Sequence, residues 1–342
     1  MVETVLVAGG AGYIGSHTCK ALARAGLRPV VYDDLSHGHS WAVRWGPLEV
    51  GDLTDGERLD ACLRRYRPMA VIHLAAFIAA GESVTDPAKY YDNNLQGTLT
   101  LLDTMRRHRI SRMVFSSSAA VYGAPESTPI QEDAIIRPVN PYGHTKAMCE
   151  QILTDYAAAY GVRSVSLRYF NAAGADPDGE LGEAHDPETH LIPLVLETAA
   201  GFRTQIDIFG DQHPTRDGTC IRDYIHVTDL AAAHVLALRK LDGSTAVSIY
   251  NLGNGQGFSV FDVVHAAERV TNRRIPIRVC PPRPGDPPVL LADSRRATAG
   301  LGWRPTFGEL ETQLTHAWQW LCRRKRPRQA RPSVQAHVVA TK

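Results

Sequence analysis

The segment that most restricts the fold is Val5-Leu6-Val7-Ala8-Gly9-Gly10-Ala11-Gly12-Tyr13-Ile14-Gly15, near the start of the chain. A short apolar strand runs into a glycine-rich turn, and an apolar-periodic helix over Ser16 to Ala25 follows. The glycines permit a tight turn and a close backbone approach to a pyrophosphate, which then rests on the positive N-terminus of the helix. A glycine string alone is weak evidence. Asp33 adds the missing context: it ends the second strand pattern, eighteen residues past Gly15, where a carboxylate accepts hydrogen bonds from adenosine ribose hydroxyls. Its charge also repels a 2′-phosphate, so NAD is expected rather than NADP. Gly9, Gly12, Tyr13, Ile14, Gly15, Asp33, Asp34 and Leu35 are the expected contacts of this end of the cofactor. Asp52, with Leu53 beside it at the end of a third strand, is a candidate for the adenine amino group, although an aspartate there more often serves a turn.

Strand and helix patterns alternate through the first two thirds of the chain, the signature of a parallel sheet covered by helices on both faces. Strands are expected at Thr4 to Ala8, Pro29 to Tyr32, Leu48 to Val50, Ala70 to Leu74, Arg112 to Ser116 and Ser164 to Arg168. Long helices are expected at Pro87 to His108 and Tyr142 to Tyr160, with Gly161 as a C-terminal stop. After Asn171 the pattern gives way to Gly- and Pro-rich stretches separated by short ordered pieces. Thr228 to Leu252 reads as one more helix and strand returning to the main sheet. The fold class is therefore α/β, a Rossmann-like doubly wound parallel sheet with a smaller interleaved α/β substrate lobe. The expected division is 1–171 with 228–254 for the cofactor domain, 172–227 and 255–322 for the substrate lobe, and 323–342 for a tail.

Composition narrows the class further. The chain has 342 residues, 44% hydrophobic, with no apolar run long enough for a membrane span. The N-terminus enters a strand directly, without a basic region and cleavage site, so a cytoplasmic protein is expected. Six cysteines show no paired spacing, which favours reduced thiols and leaves no metal site expected. The last twenty residues carry +7 and no acid, against a net charge of +1 for the whole chain. Without interleaved aromatics and with two prolines, this tail reads as a solvated, disordered extension rather than a nucleic-acid contact.

Tyr142 and Lys146 stand four residues apart near the start of a predicted helix and so share a face. An isolated pair of this kind is usually a solvated surface. Here Ser118 follows a strand end, the edge of an open α/β sheet where ligands bind. A phenol has a pKa of about 10, and a nearby ammonium together with an oxidised nicotinamide can lower it by about three units. Ser118, Tyr142 and Lys146 are the expected catalytic residues, and Ser116, Tyr142 and Lys146 are also expected to contact the cofactor.

With these residues the chain resembles the extended short-chain dehydrogenase/reductases, and within them the nucleotide-sugar 4-epimerases. The resemblance runs from Val5 to about Pro305. It is carried by the glycine turn continuing into Ser16-His17, by Tyr90-Tyr91-Asp92-Asn93-Asn94, Ser116-Ser117-Ser118-Ala119-Ala120-Val121-Tyr122-Gly123, Pro141-Tyr142-Gly143-His144-Thr145-Lys146, Arg168-Tyr169-Phe170-Asn171 and Arg222-Asp223-Tyr224-Ile225-His226-Val227. It implies that Asn93 and Phe170 help hold NAD, and that Asn171, Arg222, Arg283 and Asp286 hold a uridine diphosphate, with Ser118 and Tyr142 at the sugar. Two arginines suit a diphosphate on chemical grounds, because forked guanidinium donors match its oxygens. The implied reaction is interconversion of UDP-galactose and UDP-glucose through a 4-keto sugar, and the implied assembly is a homodimer.

Ile78 stands where the family often carries a lysine, which removes one possible cationic cofactor contact. Leu290 falls at a position whose bulk influences whether an N-acetyl group fits beside the sugar, so weak or absent turnover of UDP-N-acetylglucosamine is expected. Dehydratases on this scaffold carry Asp-Glu after the hydroxyl residue, and related decarboxylases usually carry a Glu nearby. Ala119 and Ala120 occupy those places, leaving no acid to expel a C6 hydroxyl. A UDP-pentose epimerase stays open, and a non-catalytic NAD sensor would not need Ser118, Tyr142 and Lys146 together.

Overall fold

The computed structural model describes residues 2–243, 245–283 and 286–324. Its strands are β1 (Thr4–Ala8), β2 (Arg28–Asp33), β3 (Leu48–Val50), β4 (Ala70–His73), β5 (Arg112–Ser118), β6 (Arg163–Tyr169), β7 (Asn171–Ala173), β8 (Ile206–Phe209), β9 (Ile221–His226), β10 (Val247–Leu252), β11 (Gly257–Ser259), β12 (Ile277–Cys280) and β13 (Val289–Leu290). Seven of them form one sheet in the order β10-β6-β5-β4-β1-β2-β3, every neighbouring pair parallel. This is the expected α/β class.

β1 shows why helices must cover both faces. Val5 and Val7 point into one core, with Leu22 of the helix Tyr13–Arg24 and Leu230 and Leu238 of the helix Val227–Lys240. Leu6 and Ala8 point into the other, with Leu59, Leu101 and Leu153 from the helices on the opposite side. A strand buried on both sides needs apolar residues at every position rather than alternation. The strand order departs from β1 in both directions, so the sheet reverses between β1 and β4. Ligands bind at the carboxyl ends of strands flanking such a switch point.

The residues after β6 build a second cluster. β9 is its axis, pairing with β7, β11 and β13, while β8 pairs with β12. The helices Leu191–Ala199, Val260–Thr271 and Leu310–Arg324 close an apolar core around Val195, Leu196, Val263, Val264 and Leu314. Within this stretch β10 leaves the cluster and joins β6 in the main sheet.

Three local differences from the sequence reading have physical causes. β5 continues two residues past Ser116 because β6 pairs with it through Ser118↔Tyr169, which makes Ser118 its last residue. The helix expected from Pro87 to His108 carries a π-helical turn at Tyr91–Gln96, inside which lie Asn93 and Asn94. The expected tail starts too early: Arg323 and Arg324 belong to the last turn of the helix Leu310–Arg324, and Arg323 Nη1 donates to Asp178 O at 2.9 Å. The remaining tail positions fall outside the described residues.

Candidate active site

The first half of the site is the glycine turn at the end of β1. Gly9 has φ +81°, and a Cβ there would lie 2.5 Å from Ala75 N on the neighbouring strand end. A Cβ on Gly15 would collide with Gly9 O, so only glycine lets the helix start against the turn. The helix Tyr13–Arg24 has no side-chain cap and no acid in its first turn. Its free N-terminal amides and positive dipole end suit a pyrophosphate, and the turn fits the dinucleotide for which it was predicted.

Asp33 is buried at the end of β2. Its Oδ2 accepts from Ala11 N and its Oδ1 from Leu35 N, each at 2.9 Å. The carboxylate therefore braces the glycine turn, with lone pairs left for a ribose. Burial pushes its pKa up against the pull of these two amides. Leu35 takes a positive φ of 63° beside it. Asp34 accepts from Ser36 N and Oγ, and Asp52 from Thr54 N and Oγ1, so both close local turns. Leu53 is buried in the core. Asn93 donates to Asn94 Oδ1, and Asn94, the buried member of the pair, clamps Phe77 N and O and Thr145 Oγ1. Ile78 is 47% exposed, and Lys89 Nζ stands 4.5 Å over the ring of the preceding Phe77.

The second half stands at the end of β5. The helix Pro141–Tyr160 begins with Asn140 as N-cap, its Oδ1 accepting from Gly143 N at 2.9 Å, and with proline in its first turn. A Cβ on Gly143 would lie 2.6 Å from Ala120 O. That close approach delivers Tyr142 to the strand end, where its phenol is near enough to the Ser118 hydroxyl to feel its pull. Lys146, one turn along, is buried and donates from Nζ to Ser116 O at 2.7 Å. The structure thus brings Ser116, Ser118, Tyr142 and Lys146 together.

Burial governs their ionisation. Burial holds Tyr142 above its ordinary pKa, and the Ser118 hydroxyl only partly offsets it. Burial also lowers Lys146 to about 8. The ammonium by itself does not bring the phenol down, because it faces the Ser116 carbonyl and desolvation dominates, so the expected lowering depends on the positive nicotinamide as well.

Behind the strand end lies a network that sequence reasoning did not assign. Glu150, a further turn along from Lys146, accepts from Ser117 Oγ at 2.5 Å and from Arg168 Nε and Nη2 at 2.8 and 2.5 Å. Arg168 also donates to Tyr122 Oη and Glu132 O. The available signal was a charged residue inside a strand of the parallel sheet, which must find a partner when buried.

The residues expected at a uridine diphosphate fall around β9. Asn171 pairs with Tyr224, and Arg222 stands two positions earlier on the same strand, in register with Leu290. Arg222 and Asp286 form an ion pair, and Arg283 lies 4.1 Å over the Phe209 ring. Phe170 and Leu290 pack on the Ala119, Val121, Tyr122 and Ile130 cluster just past Ser118.

Residues 5–253 match the model of the NAD dependent epimerase/dehydratase family. The chain belongs to this family. NAD is accordingly its cofactor. Among similar proteins, the UDP-glucose 4-epimerase of Rhizobium meliloti (strain 1021) is 51% identical over 323 residues, covering 94% of this chain and 98% of that protein. The crystal structure of UDP-glucose 4-epimerase from Brucella ovis in complex with NAD matches with a TM-score of 0.91 at 52% identity, over 93% of this chain and 98% of that one. The Bifidobacterium longum UDP-glucose 4-epimerase, in complex with NAD+ and UDP, matches with a TM-score of 0.90 at 37% identity over 94% and 98%.

Proposed function

We propose that the chain is a UDP-glucose 4-epimerase, an isomerase that interconverts UDP-galactose and UDP-glucose. The observation that carries this reading is the convergence of Ser118, Tyr142 and Lys146 at the carboxyl edge of the sheet, next to the glycine turn of an NAD family. Bound there, NAD supplies the hydride acceptor and donor for sugar C4. Ser118 Oγ orients the C4 oxygen. Tyr142 Oη takes the proton of the C4 hydroxyl in one half-reaction and returns it in the other. Lys146 fixes the nicotinamide ribose and, with a positive ring nearby, favours the phenolate. Asn171, Arg222, Arg283 and Asp286 anchor the diphosphate and its ribose, so that the sugar can turn while UDP stays. Gly9, Gly12, Tyr13, Ile14, Gly15, Asp33, Asp34, Leu35, Asp52, Leu53, Asn93 and Phe170 line the cofactor.

Ala119 and Ala120 place no acid after Ser118, which disfavours loss of a C6 hydroxyl. We further propose a cytoplasmic homodimer. Its support is six cysteines without a disulfide, which fit a reducing compartment, and exposed Met148 and Tyr160 on the helix Pro141–Tyr160, one of the two expected at a subunit contact. No described helix is long and apolar enough to cross a membrane. A sedimentation mass of one chain at micromolar concentration would count against the dimer.

The deciding experiment follows the hydride. UDP-galactose carrying deuterium at C4 should yield UDP-glucose with deuterium still at C4 and no stoichiometric release of NADH. A dehydratase would move the label to C6, and a dehydrogenase would release it. Label lost to solvent would sink the mechanism.

A further inference from the structure

Between β7 and the helix Leu191–Ala199 runs a loop whose sequence spaces four donors as Glu183-x-His185-x-x-Glu188-x-His190. Each offers a ligand atom, and the four atoms all lie within 4.8 Å of one another. We propose that these residues form a binding site for a divalent transition metal of the zinc class, beside Tyr13 at the edge of the glycine turn, where the His185 ring packs edge-on 6.3 Å from the Tyr13 ring.

The geometry is close to what such an ion needs. Zinc bonds of about 2.0 to 2.1 Å in a tetrahedron set neighbouring donors about 3.3 to 3.5 Å apart. His185 Nδ1 lies 3.2 Å from Glu183 Oε1 and 3.6 Å from Glu188 Oε1. His190 Nδ1 contacts Glu183 directly, and an ion entering there replaces that hydrogen bond with two coordinate bonds. The carboxylates are buried at 6 and 7% side-chain exposure, while His185 and His190 are open at 21 and 41%, which leaves an entry path. Two imidazoles and two carboxylates suit zinc, cobalt or nickel better than calcium or magnesium, which take oxygen ligands.

The loop is also held in place. Trp320 Nε1 donates to Glu183 O at 3.0 Å, His39 Nε2 contacts Ala184 O at 2.7 Å, and Gly182 bridges Ala175. Glu188 Oε1 accepts from Thr189 N and His190 N at 2.8 and 2.9 Å, which fixes its carboxylate. Fixed donors lose less freedom on binding an ion.

A neighbouring cluster supplies the contrast. Asp176, Asp178 and Glu180 also gather within 4.8 Å, but Lys20 Nζ sits among all three at 2.7 to 2.8 Å, with Arg24 and Arg44 outside. That trio already has its cation. Among the described residues, no lysine or arginine forms an ion pair with Glu183 or Glu188. The partners of these carboxylates are the two imidazoles, which, unlike the lysine of the neighbouring cluster, become ligands once a divalent ion displaces their Nδ1 protons.

The test uses the untagged full chain with its cofactor, dialysed against micromolar free Zn2+ and assayed for bound metal by mass spectrometry. The expected result is one equivalent per chain, lost in His185→Gln and in Glu188→Gln while the circular dichroism spectrum stays unchanged. Co2+ in place of zinc should give the strong visible bands of a four-coordinate site without thiolate charge transfer. No bound equivalent in the unmodified chain overturns the proposal. So does an equivalent retained by both folded variants, or a thiolate band, which would assign the metal to the cysteines.

Discussion

The ammonium of Lys146 donates to Ser116 O at 2.7 Å while standing 5.9 Å from the centre of the Tyr142 ring. The lysine is therefore tied to the strand end, and its charge is buried at a cost. Its folded pKa, about 8, lies below the ordinary 10.5. Between these values the unfolded chain binds more protons than the folded one, so stability rises with pH from about 8 to about 10.5. At pH 7 the buried charge costs about 3 kcal/mol.

Lys146→Met should therefore stabilise the NAD-free protein at pH 7, by about 2 kcal/mol once the lost Ser116 hydrogen bond is deducted at about 1 kcal/mol. The advantage should shrink as pH approaches 10. Urea denaturation at the two pH values measures it, and a gap that ignores pH would contradict the buried-charge argument. Turnover should fall at every pH.

Tyr142→Phe keeps the ring's packing and removes the hydroxyl that meets Ser118. Turnover should fall by about 10² or more, as for a lost general base, while UDP binding measured by calorimetry should survive. Nearly full activity in the variant would remove Tyr142 from the proton path.

Much of the sheet was legible because β1, β2 and β4 are short, largely apolar runs buried on both faces, and such runs between turn signals and helices leave few other folds. The glycine turn was legible for a similar reason, since its backbone approaches are closed to any side chain. Asn94 was not singled out beside Asn93 because a buried amide in a π turn has no pattern distinct from an exposed one. The Glu150 and Arg168 pair was half visible as a charge in a strand, but its partner lies on a helix eighteen residues earlier. The four-donor loop was not legible because His and Glu at short intervals are as common in solvated loops as at metal sites, and only the fold brings these four donor atoms together.

Glu150→Leu should test what that pair holds. The substitution leaves the Arg168 guanidinium buried without its carboxylate, which costs about 3 to 5 kcal/mol. Replacing both, as Glu150→Leu with Arg168→Met, should recover part of the loss, because no charge is then stranded. Chemical denaturation of the three proteins decides between this and a purely steric role, in which the double variant would be the least stable.

Leu290 stands between the two ends of the proposed substrate site. It pairs with Arg222 in β9, where the diphosphate is expected, and it packs on the Ala119 and Tyr122 segment that follows Ser118, where the sugar is expected. Its bulk therefore bears on the hexose itself rather than on the UDP anchor. An N-acetyl group in place of a C2 hydroxyl adds three heavy atoms, and Leu290→Cys removes two. Leu290 is only partly buried, so the change should open space toward the sugar without the full penalty of a core cavity. Relief of a steric conflict of this size is worth roughly 1 to 3 kcal/mol in discrimination, or about tenfold upward in kcat/KM. Leu290→Cys should accordingly raise kcat/KM for UDP-N-acetylglucosamine by about tenfold while changing that for UDP-galactose little, since the smaller sugar already fits. Equal rates on both substrates in the unmodified protein would show that Leu290 does not set the boundary. A gain on both substrates alike would mean that the side chain limits sugar rotation in general and not the size of the C2 group.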